Sequence, residues 1–214
     1  MSIAESTETY EYDAKSDWRN YIHNEMFNRS YNVENGLLKN KWLEPVGKDA
    51  HTFRELLSKN IITESQLIGL DYNPNSPTYS EANIHNCQSL FGEATFHNKL
   101  WTSFCYEYEG DDIEYIVYDL FTSTHGKEFE NNIYATFDLV KKCLTNIDHV
   151  ILAINADLGI AKRHNKSLAE YENLIGKLIK RSKLPEIKIN TEDIFTYQNT
   201  KSSTTMGLIV VEFE

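Results

Sequence analysis

Two aspartates stand where an apolar run gives out. In QLIGLDYNPN, residues 66–75, Asp71 follows a compact hydrophobic stretch, and in EYIVYDLF, residues 114–121, Asp119 does the same. A carboxylate at the tip of a buried strand can accept hydrogen bonds or a proton, and strand tips are where open α/β sheets bind ligands. Aromatic rings able to stack stand nearby: Tyr72 beside Asp71, and Phe121 just past Asp119. His125, further along the same segment, adds an imidazole that takes up a proton near neutral pH. Gly47, within LEPVGKDA at 43–50, allows backbone to approach a ligand with no Cβ in the way. Each of these residues also has a plain structural reading. Asp71 can open a turn before Pro74, Gly47 can serve an ordinary turn, and Asp119 can cap a strand. The histidines show no HxxH or HExxH spacing and the cysteines no CxxC, so no metal centre is expected, and no GxGxxG occurs.

The elements that must carry these residues are read from period and punctuation. Trp18, Tyr21, Ile22, Glu25 and Met26 recur at helical spacing after Ser16, an N-cap candidate, and Asn35-Gly36 marks a turn. KWLEP at 41–45 reads as extended, because the residue before Pro45 is pushed out of the helical region. A helix is predicted from Phe53, Leu56 and Leu57, a strand over 66–71, and a weaker strand over 82–91. Residues 96–104 read as helical and 114–121 as a buried strand. Phe129, Ile133, Phe137, Val140 and Leu144 mark a helix, HVILAIN at 149–155 a strand, and 169–182 an amphipathic helix. Two final strand-like runs are joined by a short polar loop, which predicts an antiparallel hairpin at the sheet edge, since a parallel return needs a crossover of about a dozen residues. Alternation of strands and helices implies a mostly parallel sheet covered on both faces.

A seven-stranded, mostly parallel sheet ending in an antiparallel C-terminal hairpin resembles the three-layer, Rossmann-like class I methyltransferases that use S-adenosylmethionine. The resemblance spans residues 41–214, with 1–40 as an N-terminal arm and helix. LEPVGKDAHTFRELL, 43–57, resembles the family's first motif and is nearest to the adenine methyltransferases of nucleic acids; it implies that Glu44 and Gly47 sit at the cofactor loop. Asp49 stands where that motif carries a second glycine. The resemblance further implies that Asp71 accepts hydrogen bonds from both ribose hydroxyls and that Tyr72 stacks on adenine. It also places Asn86 and Gln88, in the expected third strand, at the adenine edge. Amino-methylating members carry an acidic or amide residue, two prolines and an aromatic. YDLFTST, 118–124, lacks both prolines, which disfavours N6-adenine methylation and leaves Asp119 and His125 as candidate bases and Phe121 as a substrate-stacking residue.

Composition bounds the partners. The 214 residues carry 21 basic and 32 acidic side chains, a formal charge of −11 that repels an extended nucleic-acid duplex. The basic residues between Lys177 and Lys183 read as a solvated helix end. No apolar run approaches the 18 or more residues of a membrane span, and the opening residues lack a basic and apolar leader, so a cytoplasmic protein with three buried thiols is expected. Heavy use of Asn, Ile and Tyr points to an AT-rich source genome such as a virus. Two readings of function stay open. One is a methyltransferase acting on an unidentified acceptor, with the N-terminal helix as a lid. The other is a catalytically degenerate copy of the fold that serves as a protein-binding or structural module.

Overall fold

LIGL and IEYIVY are buried along their whole length, which places them inside a sheet covered on both faces. The computed structural model describes residues 17, 19–30, 33–34, 36–47, 50–72, 74–119, 127–160, 168–184, 187–190, 194–199 and 202–214. A first helix, α1, covers 19–28. A small ladder of β1 (Val33–Glu34) and β2 (Leu37–Leu38) precedes β3 (Lys41–Pro45) and α2 (His51–Ser58). Then follow β4 (Leu67–Leu70), α3 (Pro77–Leu90), β5 (Thr95–His97), α4 (Trp101–Glu107), β6 (Ile113–Tyr118) and α5 (Lys127–Cys143). The chain continues through β7 (Val150–Ile160), α6 (Leu168–Ser182), β8 (Ile187–Asn190), β9 (Ile194–Asn199) and β10 (Ser202–Phe213).

The main sheet has the order β5-β4-β3-β6-β7-β10-β8, with β9 pairing β10. From β5 to β7 all pairings are parallel, and β10 runs antiparallel to β7, β8 and β9. Side chains alternate between the two faces, as the period of two demands. Trp42, Tyr115, Val117, Ile151, Ala153, Leu208 and Val210 meet Ile22 and Met26 of α1, Phe53 and Leu56 of α2, and Cys87 of α3. Leu43, Ile68, Ile116, Leu152, Ile154 and Val211 face α4, α5 and α6, where the predicted stripe Phe129, Ile133, Phe137 and Val140 is fully buried. The architecture is thus the three-layer α/β arrangement expected.

Four details differ from the sequence reading. The helix expected over 96–104 begins only at Trp101, and Thr95–His97 is the strand β5. Residues 82–91 are not a strand: they lie in and just beyond α3, which Pro77 opens at its first turn, and the third strand is β5. Asn86 and Gln88 therefore sit on a helix and not at a strand tip. The hairpin of β9 and β10 is present, yet β10 is not at the border, because residues 210–213 pair with both β7 and β8. Leu208–Phe213 is buried throughout, which an edge position could not provide, and the four-residue β8 takes the edge instead. Finally, α1 is a wall of the core, with Ile22 and Met26 fully buried, and not a free lid.

The amino edge of the sheet is tied by charge. Glu212 of β10 is buried and accepts from Arg29 Nη1 at 3.0 Å, while Arg29 Nη2 reaches Glu25 at 3.1 Å. Asn40 donates to buried Glu114 at 2.6 Å, and His149 stands between Glu114 at 3.8 Å and Glu212 at 3.6 Å. Removing one partner of a buried pair leaves the other charge uncompensated. Arg29→Ala is expected to destabilise the protein by about 3 kcal/mol, lowering the melting temperature by about 6–12 °C; adding Glu212→Leu should restore much of that loss in the same thermal melts. Cys87, Cys105 and Cys143 are buried thiols outside any disulfide, and burial pushes the Cys143 thiol up to about 11 and Cys105 further still. Ellman's reagent should label none of the three in the folded protein at pH 8 and all three after unfolding.

Candidate functional site

Three loops begin side by side at the carboxyl edge. Parallel pairing sets Glu44 opposite Gly69 and Pro45 opposite Leu70, and the ladder runs on through Val46 N–H to the Leu70 carbonyl at 2.8 Å. On the far side Asp71 N–H donates to the His97 carbonyl at 3.2 Å. The loop after β3, the loop after β4 and the loop after β5 are therefore neighbours by backbone geometry alone. Strand order reverses between β3 and β6, the switch point at which such sheets open a crevice.

Gly47 lies in the first of these loops. Among the described residues a Cβ built on it would meet nothing within 4 Å, so none of them requires glycine there. Its carbonyl accepts from Ala50 N–H at 3.1 Å and from the Cys87 thiol at 3.4 Å. Ala50, with φ of 44°, enters α2 from the left-handed region and offers no side-chain cap. That conformation is costly for a residue with a Cβ. Asp49, where the second glycine is missing, lies outside the described residues.

Asp71 stands at the head of the second loop, half-buried. Its carboxylate accepts from Asn83 Nδ2 at 2.8 Å and from the Ser80 hydroxyl, both on α3. Burial pushes its pKa above the usual carboxylate value, and the two hydrogen bonds offset part of that rise. Tyr72 beside it is 37% exposed. The third loop starts at His97, whose pKa is lowered by burial and by Lys99, and carries Asn98 and the exposed Leu100. Asn86 and Gln88 lie elsewhere, on α3, where exposed Gln88 donates to the Ala94 carbonyl at 3.1 Å.

Glu44 turns away from the open side. It is 2% exposed under α1, where His23 Nε2 donates to its carboxylate at 3.1 Å and Trp42 Nε1 at 2.9 Å. The His23 ring also meets Trp42 edge-on. Its carboxylate ties α1 to the strand that ends in the Gly47 loop.

A second group of polar residues forms where β6 ends, beside the middle of β7. Tyr118 is in register with Ile154, which puts Asp119 beside Asn155, and the Asn155 amide donates to the Asp119 carboxylate. Asn155 is buried, and its Oδ1 has no hydrogen-bond partner among the described residues. Phe121 and His125 lie outside the described residues. Sequence reasoning missed Asn83, Ser80 and Asn155. The spacing Ser80–Asn83–Cys87 is a helical stripe, and Asn155 ends the apolar run HVILAIN just as Asp71 and Asp119 end theirs, so both signals were available.

No protein-family model and no curated protein sequence matches the chain. Among solved structures, it is similar to the 1,6-didemethyltoxoflavin-N1-methyltransferase of Burkholderia thailandensis, crystallised with 1,6-didemethyltoxoflavin and S-adenosylhomocysteine. The identity is 10% and the TM-score 0.54, over 98% of this chain and 86% of that one. It is likewise similar to the magnesium protoporphyrin IX methyltransferase of Synechocystis PCC 6803 with bound S-adenosylmethionine, at 9% identity and a TM-score of 0.50, over 95% and 83% of the two chains. Likeness at such identity speaks for architecture, and the strand order with its inserted antiparallel β10 agrees: this chain has the Rossmann-like fold of the class I methyltransferases.

Proposed function

We propose that the protein binds S-adenosylmethionine over the tips of β3, β4 and β5 and methylates an acceptor held over β6 and β7. The observation that carries this reading is the adjacency of the Gly47 loop and the Asp71 carboxylate on paired strand ends. A carboxylate offers about four acceptor sites, and the hydrogen bonds from Asn83 and Ser80 leave room for the vicinal hydroxyls of a ribose. Gly47 admits a ligand to its backbone, and Tyr72 and Leu100 supply exposed apolar surface for a base. Bound there, S-adenosylmethionine supplies a methyl group already activated by a sulfonium. The protein's share is then alignment and, for a weak nucleophile, a base.

In this reading Asp119 takes the proton that the acceptor loses, held in orientation by the Asn155 amide. Phe121 stacks on the acceptor, and His125 is the second candidate base. Glu44 acts through α1 and not on the ligand, which its buried bonds to His23 and Trp42 favour. The runner-up is a degenerate copy of the fold acting as a binding module; the aspartate at position 49 in place of the motif's second glycine favours it.

Thermal shift with S-adenosylmethionine and S-adenosylhomocysteine separates the two. Ligand at about 100 times its dissociation constant should add about 2.7 kcal/mol of stability, a rise in melting temperature of about 5–10 °C. An unmoved melt at millimolar ligand would leave only the binding-module reading. Asp71→Asn should weaken S-adenosylhomocysteine at least about tenfold, the loss expected for a charge-assisted pair of bonds.

The same variant has a pH signature. The raised pKa of Asp71 means that its charged form costs folding free energy above the ordinary carboxylate range, and the cost fades as the folded protein takes up the proton. At pH 7 the ligand-free asparagine variant should therefore melt slightly above wild type. The gap should be small, because half the carboxylate is wet, and should close as pH falls through about 4. A gap that widens on acidification would reverse the assigned sign.

A further inference from the structure

The inner stripe of α3 is polar where a helix lying on a sheet ordinarily presents Leu, Val or Ala. Ser80, Asn83 and Cys87 follow one another at three and four residues, and they are the buried positions of the helix, at 0%, 6% and 0% exposure. Burying a hydroxyl and a carboxamide is unfavourable unless each finds a partner. Both partners belong to the candidate site. Asn83 Nδ2 donates to Asp71 Oδ2 at 2.8 Å, and the Ser80 hydroxyl donates to the same carboxylate. One turn further on, the Cys87 thiol reaches the Gly47 carbonyl at 3.4 Å. A single helix thus grips the loop after β4 with two side chains and the loop after β3 with a third.

We infer that α3 is a polar clamp that sets the spacing of the two cofactor loops, with Asn83 and Ser80 as positioning residues that present Asp71 to a vicinal diol. The inference rests on the cofactor reading above and adds to it the source of ribose selectivity. Asp71 has two single bonds about which its carboxylate could turn, and two hydrogen bonds from α3 remove that freedom before any ligand arrives. Geometry prepaid in this way raises affinity, since the cost of ordering the side chain is not incurred on binding. It also fixes which lone pairs remain, those on the side away from α3. A ligand bearing two adjacent hydroxyls fills both, and one lacking a hydroxyl leaves a half-buried acceptor without its donor. Nothing in sheet packing asks for this chemistry: an apolar stripe would suit the core that Cys87 shares with Val46, Phe53 and Leu67 equally well.

The test compares S-adenosylhomocysteine with its 2′-deoxy analogue by titration calorimetry on the full chain. Wild type should prefer the ribose form by about tenfold or more. Asn83→Leu should weaken S-adenosylhomocysteine by about tenfold, shrink the preference to threefold or less, and do neither on an Asp71→Ala background. Asn83→Asp, which faces Asp71 with a second carboxylate, should move the acid limb of S-adenosylhomocysteine binding to higher pH. A role confined to packing would lower the melting temperature and leave both the preference and the pH limb in place. If Asn83→Leu does not fold, Ser80→Ala removes one hydroxyl from the same clamp and carries the same expectation. Full ribose preference retained in a folded clamp variant overturns the inference while the cofactor reading stands; no binding of S-adenosylhomocysteine by wild type overturns both.

Discussion

The parallel pairing of β3 with β4 is the constraint on which the carboxyl edge depends. Because Pro45 lies opposite Leu70 and Val46 continues the ladder to the Leu70 carbonyl, the two chains leave the sheet level with each other. A slip of one residue would exchange the faces of β4 and turn its apolar side chains out of their layers. Gly69 helps hold this register. A Cβ there would meet the Phe96 ring at 2.6 Å and Val46 at 3.0 Å, so only glycine lets β5 and the β3 tip close on the strand between them. Loop adjacency is therefore a product of core packing and needs no ligand to create it.

The two ends of the sheet are built differently. At the amino edge Arg29, Glu25, Glu212, Lys41 and Asp112 are joined in ion pairs of about 3 Å, and Asn40 covers Glu114. At the carboxyl edge, among the described residues, a Cβ on Gly47 would meet nothing within 4 Å, and α2 has no side-chain cap. The amino edge is thus held by charge, while the carboxyl edge carries the loops on which the cofactor reading rests.

What the sequence disclosed follows the same division. LIGL, IEYIVY and HVILAIN announced themselves because strands covered on both faces must be apolar throughout, and the stripe from Phe129 to Val140 announced α5 because its inner face packs on hydrophobic neighbours. Asp71 and Gly47 were legible as the residues that interrupt such runs. The helix α3 was not, and the cause is physical: with Ser80, Asn83 and Cys87 turned inward, apolar residues no longer recur at helical spacing, and the period that betrays a helix is erased. Asn86 and Gln88 were misplaced for that reason alone. The site of β10 was hidden for another. An antiparallel strand following a hairpin satisfies its local rules at an edge or between two strands, and only the two-sided burial of Leu208–Phe213 decides.

That inserted strand imposes an order on how the molecule can be assembled during synthesis. Phe213 pairs with Val150 and Ile187, and Glu212 receives a guanidinium from a helix 183 positions earlier. Until β10 has left the ribosome, β7 has one neighbour, β8 has no seat, and Arg29 has Glu25 but not Glu212 to pair with. Contacts so distant along the chain are slow to form and leave an unpaired ladder bare in the meantime. Before β10 pairs, the open ladder of β7 is a template on which another free strand can add.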